Sequence, residues 1–274
     1  MISIRDHLLL GRVSNLPTVW SNVLAGWCLG GGGDPSHLAG VAAAGTALYL
    51  AGMYFNDAAD AEFDRKHRPE RPIPRGRISR RAVTIVGVVL SVLGVAAAAV
   101  AGSLPLLMAF GLVGCIAAYD LTHKKFSGAP LLMAACRFLL LLLAASAGRN
   151  GISGYAFAAA ALLAVYVFGI SAIARHEATS PNAPPWPIVF LLVPAVLVFA
   201  IQPFSAMLVA VCLILALWVI LSRRLPIGAC VSRLLAGMVL VDAVLVAPML
   251  PPTLPLFAAL LVLALAMQKF VPAT

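Results

Sequence analysis

Val41-Ala42-Ala43-Ala44-Gly45-Thr46-Ala47-Leu48-Tyr49-Leu50-Ala51-Gly52-Met53-Tyr54-Phe55 runs without a break into Asn56-Asp57-Ala58-Ala59-Asp60-Ala61-Glu62-Phe63-Asp64. The first part is uncharged and belongs to an apolar block over 37–55, close to the roughly 20 residues needed to cross a bilayer core. If that block continues as a helix at about 100° per residue, Asn56, Asp60 and Asp64 stack at successive i+4 steps. Asp57 then lies within reach of Asp60 and Asp64. Like charges at this spacing repel, and acids at a helix C-terminus oppose its dipole. A solvated helix end is the plain alternative, but the stripe is better explained by a cation. Carboxylate and amide oxygens suit a hard ion such as Mg²⁺, which takes one or two carboxylates and keeps phosphate oxygens and water. Asn56, Asp57, Asp60 and Asp64 are therefore the expected metal ligands.

The rest of the chain sets the medium in which this stripe works. Of 274 residues, 62% are hydrophobic and only 11% are charged, with a mean hydropathy of +1.01. Soluble chains average about 25% charged residues, so this one could not cover a water-facing surface. A soluble nucleic-acid binder, a disordered chain and a secreted disulfide scaffold are excluded. Outer-membrane barrels alternate apolar and polar residues, whereas here the apolar residues come in long blocks. The fold class is an all-α integral membrane protein, a bundle of nine or ten transmembrane helices around a central cavity. The blocks are 15–33, 37–55, 82–102, 104–119, 130–148, 155–173, 187–201, 204–221, 230–250 and 254–271, and Pro194 and Pro248 are expected to interrupt theirs. The whole of 1–274 reads as a single polytopic domain with two polar loops, 56–81 and 174–182. Basic residues gather in alternate loops, which by the positive-inside rule places the N-terminus and both polar loops in the cytoplasm. The expected location is the inner membrane of a bacterium. The five cysteines lie in apolar stretches without C-x-x-C spacing and read as small buried hydrophobes.

Directly after the acids comes Arg65-Lys66-His67-Arg68-Pro69-Glu70-Arg71-Pro72-Ile73-Pro74-Arg75-Gly76-Arg77-Ile78-Ser79. Arginine offers forked donors for phosphate oxygens, and prolines stiffen the loop that carries them. Arg68 and Arg71, so near the acids, are expected to bind an anion; the stretch from Arg75 to Arg81 reads as positive-inside charge. Metal-binding acids followed by arginines describe a Mg²⁺–diphosphate site.

Asn56-Asp57-x-x-Asp60-x-x-x-Asp64 followed by Arg71-Pro72-Ile73-Pro74-x-Gly76-x-Ile78-Ser79 resembles the first aspartate-rich motif of the UbiA superfamily of intramembrane prenyltransferases. Arg12, Asn15, Pro17 and Asn22 resemble that family's opening helix, and Tyr119-Asp120-x-x-x-Lys124 resembles its Tyr-x-x-x-x-Lys element. The family's second motif, Asp-x-x-x-Asp, is replaced here by Ser171-Ala172-Ile173-Ala174-Arg175-His176-Glu177-Ala178. This Ala-Arg-x-Glu form resembles the UbiA-like EboC branch. One acid in place of two puts a second fully ligated metal in doubt, leaving one metal and Arg175 to share the diphosphate charge.

The resemblance implies nine helices and Mg²⁺-dependent transfer of a prenyl group from a prenyl diphosphate to an aromatic or other lipophilic acceptor. Asp60, Asp64 and Glu177 would be catalytic, Glu177 as the base for a phenolic acceptor. Arg12, Asn15, Arg68, Arg71, Lys124, Arg137 and Arg175 would bind substrate. The rival reading is a non-catalytic membrane protein that binds a lipid phosphate or metabolite and assists its transport. Arg137 and Asp242, ionisable residues inside apolar blocks, are site candidates on cost alone; Arg137 could instead snorkel to the surface. Tyr54, Phe55, Tyr119, Phe138, Tyr166 and Phe168 could face an allylic cation, although each alone is better explained by packing.

Overall fold

The apolar blocks fold as helices, and the breaks between them fall where capping and glycine chemistry puts them. The computed structural model describes residues 3–123, 126–175, 186–201, 204–222 and 225–273. A short surface helix α1 (Ile4–Leu10) precedes α2 (Leu16–Leu29), α3 (Pro35–His67), α4 (Arg80–Ala101), α5 (Ser103–Thr122) and α6 (Ala129–Ser146). The second half comprises α7 (Gly154–Ala174), α8 (Ile188–Ile201), α9 (Phe204–Ser222), α10 (Ile227–Val246) and α11 (Leu254–Met267). Among the described residues there is no strand. Among the described residues, helices α3 to α7 and α10, six in all, are long and apolar enough to cross a membrane; α2, α8 and α11 are shorter. Pro194 lies inside α8 without ending it, as membrane helices tolerate where neighbours satisfy the freed carbonyl. Pro248 falls just beyond α10.

Two features place the acid stripe. Helix α3 has 33 residues, about 50 Å at 1.5 Å per residue, well beyond a core of about 30 Å. Its N-terminus is fixed by Pro35 in the first turn and by Asp34, whose carboxylate accepts from Ser36 N–H at 2.8 Å. The segment 56–67, which opens the polar stretch 56–81 and whose spacing is that of a helix, is thus the continuation of the spanning helix. Only 68–79 is irregular, closing when Ser79 caps α4 by accepting from Ala82 N–H at 3.1 Å.

The second feature is close packing of α2 on α6. A Cβ added to Gly26 would lie 2.3 Å from the Leu141 carbonyl oxygen, and one added to Gly30 would lie 2.2 Å from that of Ala145. Gly26 and Gly30 form a small-xxx-small pair of the kind that lets membrane helices approach backbone to backbone. The contact buries Ala25, Cys28 and Leu29 against Leu141, Leu142 and Ala145. On the outside of the bundle, Val88, Val89, Val92 and Leu93 of α4 and Leu107 and Phe110 of α5 are exposed, an apolar face suited to contact with lipid.

Gly26→Ala forces a methyl into the α6 backbone. It is expected to cost about 1–3 kcal/mol, the usual range for overpacking, and to lower the thermal midpoint of the detergent-solubilised protein. Gly114→Ala, where an added Cβ meets nothing within 4 Å, is the control that should leave the midpoint unchanged.

Candidate active site

At one end of the bundle the acids of α3 meet groups from three other segments. Asn56, Asp57 and Asp64 are buried, with Asp64 only 2% exposed; Asp60 is half-buried. Arg12 stands between α1 and α2 with φ 39° and ψ 52°, a left-handed conformation uncommon for a side-chain-bearing residue. From there one guanidinium nitrogen donates to Asn56 Oδ1 at 3.2 Å and to Asp57 Oδ1 at 3.1 Å. Arg71 reaches the same Asp57 oxygen at 3.1 Å and Asp64 Oδ2 at 3.1 Å. Asp57 is thereby shared by two arginines, one from each side of α3 in sequence.

The loop folds to deliver Arg71. Arg71 N–H donates to the Arg68 carbonyl, Arg75 N–H to the Arg71 carbonyl, and Arg77 N–H to the Pro72 carbonyl. Gly76, at φ 69°, supplies the left-handed turn. Ile73 and Ile78 pack on Leu10, Tyr54, Ala58 and Val83. Arg77, read from sequence as plain surface charge, pairs with Asp6 at 2.9 Å and ties α1 to the loop. Hydrogen bonds from the Ser3 backbone amide and hydroxyl, with Arg77 adding to them, hold the Asp6 carboxyl down at about 2. A depressed carboxylate pKa contributes stability above the ordinary value and loses it as pH falls through the lowered one, so this clip stays closed until strongly acid pH.

Helix α5 adds two side chains that sequence reasoning did not place in the site. Asp120 accepts from Asn56 Nδ2 at 3.2 Å, and His123 contacts Asp60 Oδ1 at 3.0 Å while stacking on Tyr119. That hydrogen bond to Asp60 raises the His123 pKa. Their spacing after Tyr119 was the available signal, since i and i+3 share a helix face.

Beside this polar cluster lies an apolar pocket of about 80 Å³, partly open to the outside. Leu48, Tyr49, Gly52 and Met53 of α3 form one wall; Leu112, Ile116 and Tyr119 of α5 and Met133, Arg137 and Leu140 of α6 form the others. Asp120 lines it and also accepts from Asn56, so cluster and pocket are continuous.

The remaining expected residues are distributed as follows. Arg68 ends α3, its N–H donating to the Asp64 carbonyl at 2.8 Å, and is half-buried beside the cluster. Asn15 does not reach the acids; its amide donates to the Ala273 carbonyl at 2.9 Å, holding the C-terminal segment against the start of α2. Arg175, exposed at the end of α7, donates to the Ser127 carbonyl instead of the acid stripe. Lys124 and Glu177 lie outside the described residues. Arg137 does not snorkel: it is 8% exposed and bonded to Thr18 and Asn22. Of the aromatics, Tyr119 lines the pocket, joined by Tyr49. Tyr54 bonds His7 at 2.8 Å, Tyr166 donates to the Leu234 carbonyl, and Phe138 and Phe168 pack on Phe157 and Phe190.

As they stand, the acids are engaged by arginines and a histidine. Among the described residues no three His, Cys, Asp or Glu side chains are gathered closely enough to hold a metal ion. Two carboxylate oxygens, Oδ1 of Asp64 and Oδ2 of Asp120, are nonetheless buried without a hydrogen-bond partner. Buried acceptors are rarely left so, and a hard, oxygen-only donor set fits Mg²⁺.

Residues 15–247 match the UbiA prenyltransferase family. The chain belongs to this family. A stretch of 79 residues is 42% identical to a 4-hydroxybenzoate octaprenyltransferase of Acidovorax ebreus, covering 28% of this chain and 27% of that one. Another of 107 residues is 36% identical to a digeranylgeranylglyceryl phosphate synthase of Pyrococcus abyssi, covering 38% and 39%. These matches therefore span well under half of the curated relatives' lengths. The fold extends further: a UbiA homologue from Aeropyrum pernix K1 superposes with TM-score 0.65 at 17% identity, covering 91% of this chain and all (100%) of that one. A UbiA homologue from Archaeoglobus fulgidus bound to GPP and Mg²⁺ gives 0.57 at 18% identity, over 95% and 98%.

Arg71→Met removes the shared counterion of two buried acids and should destabilise by about 3 kcal/mol or more, read as a lower thermal midpoint. Arg75→Met, at an exposed position, should stay within about 0.5 kcal/mol of the parent.

Proposed function

We propose that this UbiA-family protein transfers a prenyl group from a prenyl diphosphate to a lipophilic acceptor inside the membrane, with Mg²⁺ as cofactor. The observation that carries the reading is the continuity of an acid–arginine cluster with an apolar pocket. One end suits a diphosphate and the other a hydrocarbon chain. In the reaction the allylic C–O bond breaks with its electron pair leaving on diphosphate, the acceptor bonds to the allylic carbon, and the acceptor loses a proton.

Asn56, Asp60 and Asp64, with Asp57 and Asp120 beside them, would hold Mg²⁺, which when bound supplies Lewis-acid stabilisation of the leaving group. Arg12 and Arg71 now pair with Asp57 and Asp64. With the acids neutralised otherwise, they are placed to turn their donors to phosphate oxygens and stabilise the charge that develops there. Arg68, which follows the last residue of α3, would share this work. Leu48, Leu112, Ile116 and Leu140 would hold the chain and keep water from the allylic cation, and the faces of Tyr49 and Tyr119 would steady it. Glu177 remains the candidate base for a phenolic acceptor, and Lys124 and Arg175 remain candidates for the diphosphate. The Ala-Arg-x-Glu sequence at 174–177 supports placement in the EboC branch, and the basic loops support a cytoplasmic site. The C-termini of α3, α5 and α7 lie at the same end of the bundle, linked by the His123–Asp60 and Arg175–Ser127 contacts, so the segments that follow them start from one side of the membrane.

Mixing the purified protein with geranyl diphosphate, Mg²⁺ and a panel of phenolic acceptors should release diphosphate, and removing Mg²⁺ with a chelator should stop it. Asp60→Asn and Asp64→Asn should each lower turnover by about a hundredfold or more. Binding of geranyl diphosphate without release under any acceptor would support the non-catalytic binder instead. Glu177→Gln keeps volume and removes charge; a catalytic base predicts that kcat and kcat/KM fall together while geranyl diphosphate binding persists.

A further inference from the structure

Arg12, which reaches Asn56 and Asp57 with its guanidinium, is the one residue other than glycine with a positive φ among the described residues. A conformation of this kind persists where the surroundings over-determine it. Arg12 N–H donates to the Leu9 carbonyl at 3.1 Å. Its own carbonyl accepts from Asn15 N–H at 3.0 Å and from the Tyr49 hydroxyl at 3.2 Å. The aim of the guanidinium thus depends on the single 3₁₀ turn Val13–Asn15 staying fixed behind it.

A segment from the far end of the sequence fixes that turn. The Asn15 side-chain amide donates to the Ala273 carbonyl at 2.9 Å, across 258 residues of chain. Ala273 and Val271 are 3% and 7% exposed, so the residues after α11 are seated in the bundle. Gln268, directly after α11, fastens the other end by donating its amide to the Ser232 carbonyl of α10 at 2.7 Å. Lys269 and Phe270, between the two anchors, stay exposed. Two side-chain-to-carbonyl bonds therefore stretch 268–273 from α10 to the turn that carries Arg12. Asn15 itself is 5% exposed, and a buried amide is costly unless bonded; the Ala273 carbonyl supplies the bond. The atom of Asn15 left without a partner is Oδ1, an acceptor with nothing to offer a phosphate oxygen.

We propose that 268–273 is a strap that positions Arg12 for the diphosphate, and that Asn15 is a positioning residue acting through Arg12 and not a substrate ligand. The inference rests on the diphosphate reading above. With the strap released, the Val13–Asn15 turn relaxes, Arg12 leaves its left-handed conformation and its guanidinium loses register with Asp57. The acid stripe of α3 and the pocket are built from other elements and stay as they are. The effect falls on affinity for the diphosphate, through one arginine.

Affinity for geranyl diphosphate in the presence of Mg²⁺, measured on the purified full chain and its variants, tests this. Asn15→Leu removes the amide at similar volume, and a chain ending at Phe270 removes its acceptor. Each should weaken binding about fivefold, the scale of one hydrogen bond, and the two together no more than either alone, as for residues that act as one unit. Neither change should weaken binding further in an Arg12→Met background. Phe270→Ala, at a side chain 80% exposed, should leave affinity unchanged. Should the shortened chain prove unstable, Gln268→Leu unfastens the strap from α10 and takes its place. Weaker binding by Asn15→Leu with none on shortening overturns the proposal and makes Asn15 a direct ligand. An equal loss on shortening with and without Arg12 also overturns it, since the segment then only stabilises the bundle. A parent that binds while both changes leave affinity intact overturns the strap alone; a parent that does not bind geranyl diphosphate overturns the diphosphate reading and the strap with it.

Discussion

Two buried carboxylates on one helix, Asp57 and Asp64, impose more order on this end of the protein than any apolar contact. Each would cost several kcal/mol if buried without a partner. The chain meets that cost with arginines from both sides of α3: Arg12 before it and Arg71 after it, converging on one oxygen of Asp57. Several local features follow from that convergence. Arg12 must leave helical geometry to point back across α3, hence its left-handed backbone. The segment after His67 must reverse within a few residues, hence Pro72, Pro74 and the left-handed Gly76. The Arg77–Asp6 pair then closes α1 over the turn.

The same ion pairs explain how a cluster of acids and arginines can be both stable and available. A carboxylate that already accepts from arginine needs no metal to stay buried, and an arginine that already donates to carboxylate needs no phosphate. A ligand bringing both Mg²⁺ and phosphate oxygens offers each group a partner of the same kind. Exchange of partners then costs less than creating two buried charges anew, because the polar groups are ordered beforehand. That is the structural meaning of preorganisation. The orphaned oxygens of Asp64 and Asp120 mark where the present set of partners falls short.

The sequence showed the stripe because it is local: four side chains on one helix obey a fixed angular period, and a spanning block before them fixes where the helix begins. It also paired Arg71 with the acids, since only a short, proline-stiffened loop intervenes. It did not show that Asp120 and His123 come from α5 to join Asn56 and Asp60, because 63 or 64 residues of chain separate those partners. Nor could it give Asp242 its partners Ser21 and Asn22, about 220 residues away. Asn15 and Arg175 were drawn into the site by motif position, yet tertiary contacts to Ala273 and Ser127 engage them. The Gly26–Gly30 pair was legible and passed over; its spacing alone announces a close helix contact.

The comparison with related structures has a physical basis of the same kind. At 17% identity the fold is retained over most of the chain, whereas a stretch of 79 residues reaches 42%. On a lipid-facing helix such as α4, any apolar side chain satisfies the same solvent, so Val88, Val92 and Leu93 can change without cost to the fold. Inside, the demands are narrower but differ by depth. Gly26 must stay small because a backbone lies against it. Arg71 must stay forked because two carboxylates share it. Arg137 meets a third condition: its donors are only partly used by Thr18 and Asn22, and its charge has no direct counterion. Packing alone would be served as well by a leucine at that position, and at lower electrostatic cost. What the guanidinium adds there is a bridge: it ties α6 to Thr18 and Asn22 of α2, and Asn22 in turn holds Asp242 of α10.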